Sequence, residues 1–284
     1  MSLDSTTPLV IPGAPSTGSR LRGSGTKAAG SLLTALISLG VILIGWMIFL
    51  RVFHVDPFSG RTPATVWKAV VTGPDAAANR TELIDASVTT LRDAFLGLAV
   101  GIVAGTLAAI TFTLSKVVES SLMPMAMVVQ AVPLIAITPL ITLIFGRGLA
   151  TVMIISGIVT FFPTLVNVTL AMKRVPTQSM DLMRAYGATP ATTLKKAQFP
   201  AALPALFASL RIAAPLALIG ALLAEWLATG NGLGYLMLKS GTTFNTDQLW
   251  AAAALITPFS VLLYGVISAV ESSVLARFGP EPAR

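Results

Sequence analysis

The chain has 284 residues, 54% hydrophobic and only 11% charged, with a net charge of +7 and no cysteine. Soluble proteins carry about 25% charged residues. With a mean hydropathy of +0.81, this composition excludes a soluble monomeric globule and a disordered chain. The missing cysteines exclude a disulfide framework, Cys-type zinc sites and thiol catalysis. A polytopic, all-α membrane protein remains.

Residues 1–27, rich in Ser, Thr, Gly and Pro, read as a disordered tail. They are not a signal peptide, because the first apolar run starts late and is long. About 20 helical residues cross a bilayer core. Charged residues bracket runs of that size. Lys27 to Arg51 encloses 23 uncharged residues, Asp93 to Lys116 encloses 22, and Glu119 to Arg147 encloses 27. Arg147 to Lys173 encloses 25, and Asp247 to Glu271 encloses 23. Between the last two lies an apolar run from Ala197 to Glu225, interrupted only by Arg211. The expectation is six transmembrane helices in a membrane domain, 28–275, followed by a short tail, 276–284.

The outer segment 51–93 ends in an amphipathic stretch, Glu82–Asp93, leading into span two. Span two carries Gly97, Gly101 and Gly105 on one face. Small residues at that spacing let membrane helices approach closely, either as plain packing or as a sliding contact. Span three carries Pro124, Pro133 and Pro139, which remove backbone donors and bend helices. An irregular helix beside a cavity with Gln130 facing it, or a purely structural kink, both fit.

The loop 173–199 is polar and basic. Its residues spell a helix, a stop and a second helix. Gly187 suits the left-handed position after a helix end, Thr189 an N-cap, and Pro190 the first helical position. Leu182, Met183 and Tyr186 form an apolar strip on a segment that faces water, which suits docking.

Arg211 and Glu225 are the costly charges of span five, and charges at membrane depth count as functional candidates. Arg211 faces an anionic solute or holds helices together. Glu225 is placed at the outer mouth. Gly230-Asn-Gly-Leu-Gly234 lacks the strand that a dinucleotide site requires and reads as a tight outer turn. Eleven Lys and Arg fall in segments that are inside if the N-terminus is cytoplasmic, against seven outside. The positive-inside rule therefore puts both termini in the cytoplasm, and the net charge marks topology rather than a nucleic-acid surface. No P-loop, no metal-ligand cluster and no hydrolase motif occurs; the single histidine, His54, has no second ligand nearby.

The loop also resembles the EAA loop of bacterial ABC importer permeases: Glu-Ala-Ala, three residues, Gly, nine residues, a hydrophobic residue, x, Leu-Pro. Asp181-Leu182-Met183 stand at the Glu-Ala-Ala positions, Gly187 matches, and Ala197-Gln198-Phe199-Pro200 close the pattern. The sequence departs at Leu182, Met183 and Ala197, and Asp replaces Glu. Further stretches resemble the nitrate, sulfonate, taurine and bicarbonate permeases: Leu203-Pro204, Ser209 to Ala213, Ala224-Glu225-Trp226, Gly232 to Leu236, Pro133 through Gly146, and Thr89 to Gly105.

The resemblance implies a MetI-like type I importer fold in the bacterial inner membrane. It implies a second permease copy, two cytoplasmic ATPases that carry the ATP and Mg, and an extracytoplasmic solute-binding protein. This chain itself would bind no cofactor and catalyse nothing. Asp181, Leu182, Met183, Arg184, Ala185, Tyr186 and Gly187 would form the ATPase-coupling helix; Arg211, Gln130 and Glu225 would line the path. A small anion is the expected solute, with a pyrimidine-type vitamin precursor as the alternative. An ion-coupled secondary transporter or channel is the reading from another class.

Overall fold

The computed structural model describes residues 22–278, which contain ten helices and no strand. The expected tail 1–27 lies outside the described residues except for its last six, which belong to the first helix. The chain divides at Pro63 into two units.

The first unit contains α1 (Arg22–Val52) and the turn after it. Ile37, Val41, Ile42, Ile44 and Ile48 are all more than half exposed, so from residue 37 the helix is apolar on several sides. A helix apolar all round belongs in lipid. Its described apolar stretch, Ile37–Val52, is shorter than a full span. Beyond it the chain folds back: the Val55 N–H donates to the Leu50 carbonyl at 3.1 Å, and Gly60 lies against the side chains of both.

The second unit holds the remaining nine helices. These are α2 (Pro63–Trp67, prolonged by a π turn Lys68–Thr72), α3 (Ala76–Leu114), α4 (Lys116–Gln130), α5 (Leu134–Phe145) and α6 (Leu149–Lys173). Then come α7 (Thr177–Ala185), α8 (Pro190–Thr229), α9 (Gly232–Thr242) and α10 (Thr246–Phe278). Four of them, α3, α6, α8 and α10, are long and apolar enough to cross a membrane; α4 and α5 count as a fifth span if taken together. The described residues thus hold four such spans, or five with the bent pair, against the six expected; the first expected span falls on α1, whose described apolar stretch is too short to count.

Three elements differ from expectation. The stretch Glu82–Asp93 is not a separate short helix but part of α3, which runs unbroken for 39 residues because nothing between Ala76 and Leu114 interrupts helical hydrogen bonding. The stretch 230–234 is a turn only at its start: Gly230 is left-handed (φ 74°), and α9 begins at Gly232. Span three is broken rather than merely irregular. The axes of α4 and α5 meet at 102°. Pro133 has no N–H to give and biases Val132 away from helical geometry, whereas Pro124 and Pro139 sit inside their helices without breaking them.

The core is the α3–α6–α8 sandwich. Ala94, Leu98, Val152, Ile155, Ala213, Ala217, Leu218 and Ala221 fill it, joined by Ile267 of α10. Small residues dominate because lipid offers no hydrophobic drive, so association relies on close backbone approach. Gly97 packs on Ser156, Gly101 on Thr160 and the Gly157 carbonyl, Gly105 on Thr164 and the Phe161 carbonyl, and Gly220 on Ser156. A Cβ at Gly101 would overlap Thr160. Ser156 Oγ donates to the Ala217 carbonyl at 2.9 Å, and Thr160 Oγ1 to its own helix at 3.0 Å.

Candidate coupling loop and solute path

Both ends of the loop between α6 and α8 are fixed by local chemistry. At the close of α7 the Gly187 N–H donates to the Arg184 carbonyl and the Ala188 N–H to the Met183 carbonyl, each at 2.9 Å. With Gly187 at φ +69°, this is the paired-bond glycine stop that satisfies the last helical carbonyls. Thr189 Oγ1 then accepts from the Thr192 N–H at 3.2 Å as N-cap, and Pro190 opens α8. Both turn expectations hold.

The apolar strip divides. Tyr186 is 84% exposed and Leu182 58%, one helical turn apart on the outer side of α7. Met183 is half-buried, as is Met180, which borders a cavity with Thr113 and Leu114 of α3. Asp181 and Arg184 pair at 3.3 Å in the open, Ala185 is exposed, and no atom crowds Gly187. Behind the loop, Lys173 at the end of α6 is ion-paired to Glu119 of α4. The loop thus presents two apolar side chains on a stiff, anchored turn.

Arg211 does not stand alone at depth. Its guanidinium lies 3.3 Å from the Glu271 carboxylate on α10, with the Glu271 side chain only 14% exposed. In the sequence Glu271 marks only the end of a span. Its pairing depends on how α8 and α10 register against each other, which no local pattern reports.

Glu225, expected at the outer mouth, is fully buried within the chain. Its Oε2 accepts from Thr90 Oγ1 at 2.9 Å and from the Gly234 N–H at 2.8 Å. Thr90 Oγ1 in turn accepts from the Leu233 N–H at 2.8 Å. The first N–H groups of a helix have no partner within it, and α9 receives its partners from α3 and α8. Gly232 is in contact with the Glu225 carboxylate, which a side chain there would displace. Thr90 escaped the sequence reading because tertiary capping leaves no local signature. At the outer surface, Lys239 of α9 bonds Glu82 at 2.8 Å; this bond holds its ammonium above the ordinary lysine value.

Gln130, the last residue of α4, borders a recess of about 220 Å³ with Val132, Ile137, Val159, Phe162 and Leu216. No charged residue lines it. The recess exists because α4 and α5 part at Pro133, opening a gap against α6 and α8.

Residues 101–275 match the family of binding-protein-dependent transport system inner membrane components. The chain belongs to this family. It is a membrane-spanning permease component of an ABC-type transport system. A probable ABC transporter permease protein of Haemophilus influenzae is 30% identical over 82% of this chain and 93% of its own length. The formylaminopyrimidine transport permease protein ThiX of Halalkalibacterium halodurans is 32% identical over 66% of this chain and 74% of its own. Permeases named for sulfonates, taurine and nitrate match at 24–26% identity. Among solved structures, the MetNI methionine ABC transporter in inward-facing conformations superposes with a TM-score of 0.57 at 19% identity. It covers 72% of this permease and 99% of that chain. The fold is therefore the MetI-like type I importer permease fold.

Proposed function

We propose that this permease forms half of the solute path of an ATP-driven importer and that α7 is where it takes up force. The observation that carries this reading is the exposed Leu182–Tyr186 pair on a helix stopped by left-handed Gly187, in a loop with the EAA spacing. Two ATPase subunits, which hold the ATP and Mg, would each receive one such helix in a cleft. A second permease copy completes the path, and a solute-binding protein delivers from outside. Both termini lie in the cytoplasm and the chain sits in the bacterial inner membrane. Closure of the ATPase pair presses the coupling helices together and rocks the spans; hydrolysis releases them.

Gly187→Val tests this. At φ +69° a β-branched residue is strained by about 1–2 kcal/mol, so the loop should leave its stop. Uptake and ATPase assembly should be lost while the protein still inserts, and Gly187→Asn, which tolerates that conformation, should keep most activity. An ion-coupled secondary transporter is the competing class, drawn from a charge at membrane depth. The Arg211–Glu271 pairing supplies that charge with a structural partner. Uptake that persists after ATP depletion while the ion gradient stands would favour the competing class.

The small-anion expectation used Arg211 as its positive site. With its side chain 34% exposed and 3.3 Å from Glu271, Arg211 presents an anion with a compensated charge, so the solute's chemistry has to be sought elsewhere along the path.

A further inference from the structure

The joint between α4 and α5 lies at membrane depth. Glu119, in the first turn of α4, is ion-paired to Lys173 at one end of the spanning helix α6, and only residues 146–148 separate α5 from the other end. The bent pair therefore travels from one end of α6 to the other, and residues 131–133 fall in between. With 15 and 12 residues, the two helices are about 22 and 18 Å long, so neither alone crosses a core of about 30 Å. The joint is also bare. Every residue from Val128 to Pro133 is exposed, and α4 buries none of its residues. α5 opens on Pro133, extended at ψ 117° and without a side-chain cap, so the N–H groups of Leu134 and Ile135 have no partner in the helix. No turn bond reaches them, and none reaches the carbonyls of Ala131 and Val132. The start of α9 differs, because Thr90 and Glu225 accept its N–H groups. Beside the joint, the Gln130 carboxamide makes no hydrogen bond among the described residues.

We propose that this face is where a second copy of the chain packs, the two α4–α5 joints meeting across a two-fold axis. This rests on the reading of the permease as half of a paired solute path and adds which face the halves share. Lipid does not fit as the occupant. Hydrocarbon offers no hydrogen bond, and irregular backbone at this depth persists only against protein or a water-filled cavity. A second copy fits because the joint is self-complementary. It carries donors, the Leu134 and Ile135 N–H groups, beside acceptors, the Ala131 and Val132 carbonyls, and the Gln130 carboxamide supplies both. An isologous contact brings each set to the other, and glutamine is among the side chains that bond across membrane helices. No charge opposes the approach of an identical face, since no Asp, Glu, Lys or Arg occurs between Glu119 and Arg147. Met125 and Met127, both exposed, are flexible enough to shape themselves to a facing surface. α10 is also widely exposed, but its helix runs without a break from Thr246 to Phe278, which suits lipid.

The absence of cysteine from the sequence makes the test direct. Val128→Cys, Val132→Cys and Ile135→Cys are introduced singly, with Val261→Cys on α10 as the reference; all four positions are exposed. Two differently tagged full-length copies of each variant are expressed together in bacterial membrane vesicles and treated with a short bis-methanethiosulfonate. The joint variants should give a cross-linked band containing both tags, strongest for Val132→Cys, and Val261→Cys should give none. A nitroxide at position 132 should meet dissolved oxygen several-fold less often than one at 261, because oxygen concentrates in hydrocarbon. A band from Val261→Cys as strong as any from the joint, or equal oxygen access at 132 and 261, would overturn the assignment and leave the paired importer standing. Low oxygen access at 132 without a two-tag band would show that something other than a second copy covers the joint, and would overturn it as well. If the two tags never co-purify from untreated vesicles, the pairing itself fails, and the proposed function with it.

Discussion

Glu225 shows how a single side chain can fix an element it does not belong to. With Thr90 it accepts the first free N–H groups of α9, and burial leaves those groups no water to replace it. Glu225→Ala and Thr90→Val should each destabilise the protein by about 1–3 kcal/mol for every group left bare, read as a lower unfolding midpoint in detergent. Arg211 behaves differently because its partner is also charged. Arg211→Gln or Glu271→Gln alone leaves an uncompensated charge at depth, while the double variant removes both. A double-mutant cycle should return a coupling of about 1–3 kcal/mol, with the double variant more stable than the sum of the singles predicts. The costly residues were legible in the sequence because charge is so rare in a membrane span. Their partners were not: Thr90 and Glu271 lie 135 and 60 positions away in the chain, and only helix packing brings them together.

At the scale of the element, glycine has opposite meanings in two helices. Gly101 in α3 touches Thr160 and the Gly157 carbonyl, whereas nothing approaches Gly265 in α10 within 4 Å. Gly101→Ala should force α3 and α6 apart at a cost of about 1–3 kcal/mol. Gly265→Ala should be neutral or stabilise by about 0.5–1 kcal/mol, the ordinary gain from removing a helix-interior glycine. Thermal unfolding of the two variants side by side checks the contrast. The doubled spacing of Gly97, Gly101 and Gly105 carried the close approach in advance, since a helix repeats every 3.6 residues. The end of α7 and the start of α8 were equally readable, because a left-handed glycine, an N-cap threonine and an N1 proline act within a few residues. The 102° turn between α4 and α5 was not. Three prolines announced irregularity, but which of them breaks the helix depends on which freed carbonyls the neighbouring helices leave unsupported.

Across the whole molecule, sparse charge organises the fold. Charged residues end the helices that cross the membrane, and Lys173 and Glu119 tie two of those ends together beside the coupling loop. The span boundaries could be taken from the sequence for that reason. The burial of the α3–α6–α8 core and the exposure of α10, 6% of whose apolar window is buried within the chain, belong to tertiary structure. The central claim is mechanical: force enters at Leu182 and Tyr186. The most direct test is solute-stimulated ATP hydrolysis and uptake by the assembled importer in proteoliposomes, comparing the natural chain with Leu182→Asp/Tyr186→Asp. Both side chains are exposed and not part of the core, so the variant should insert and fold normally but lose stimulated hydrolysis and uptake together. Uptake and stimulation at the natural level in that variant would contradict the account.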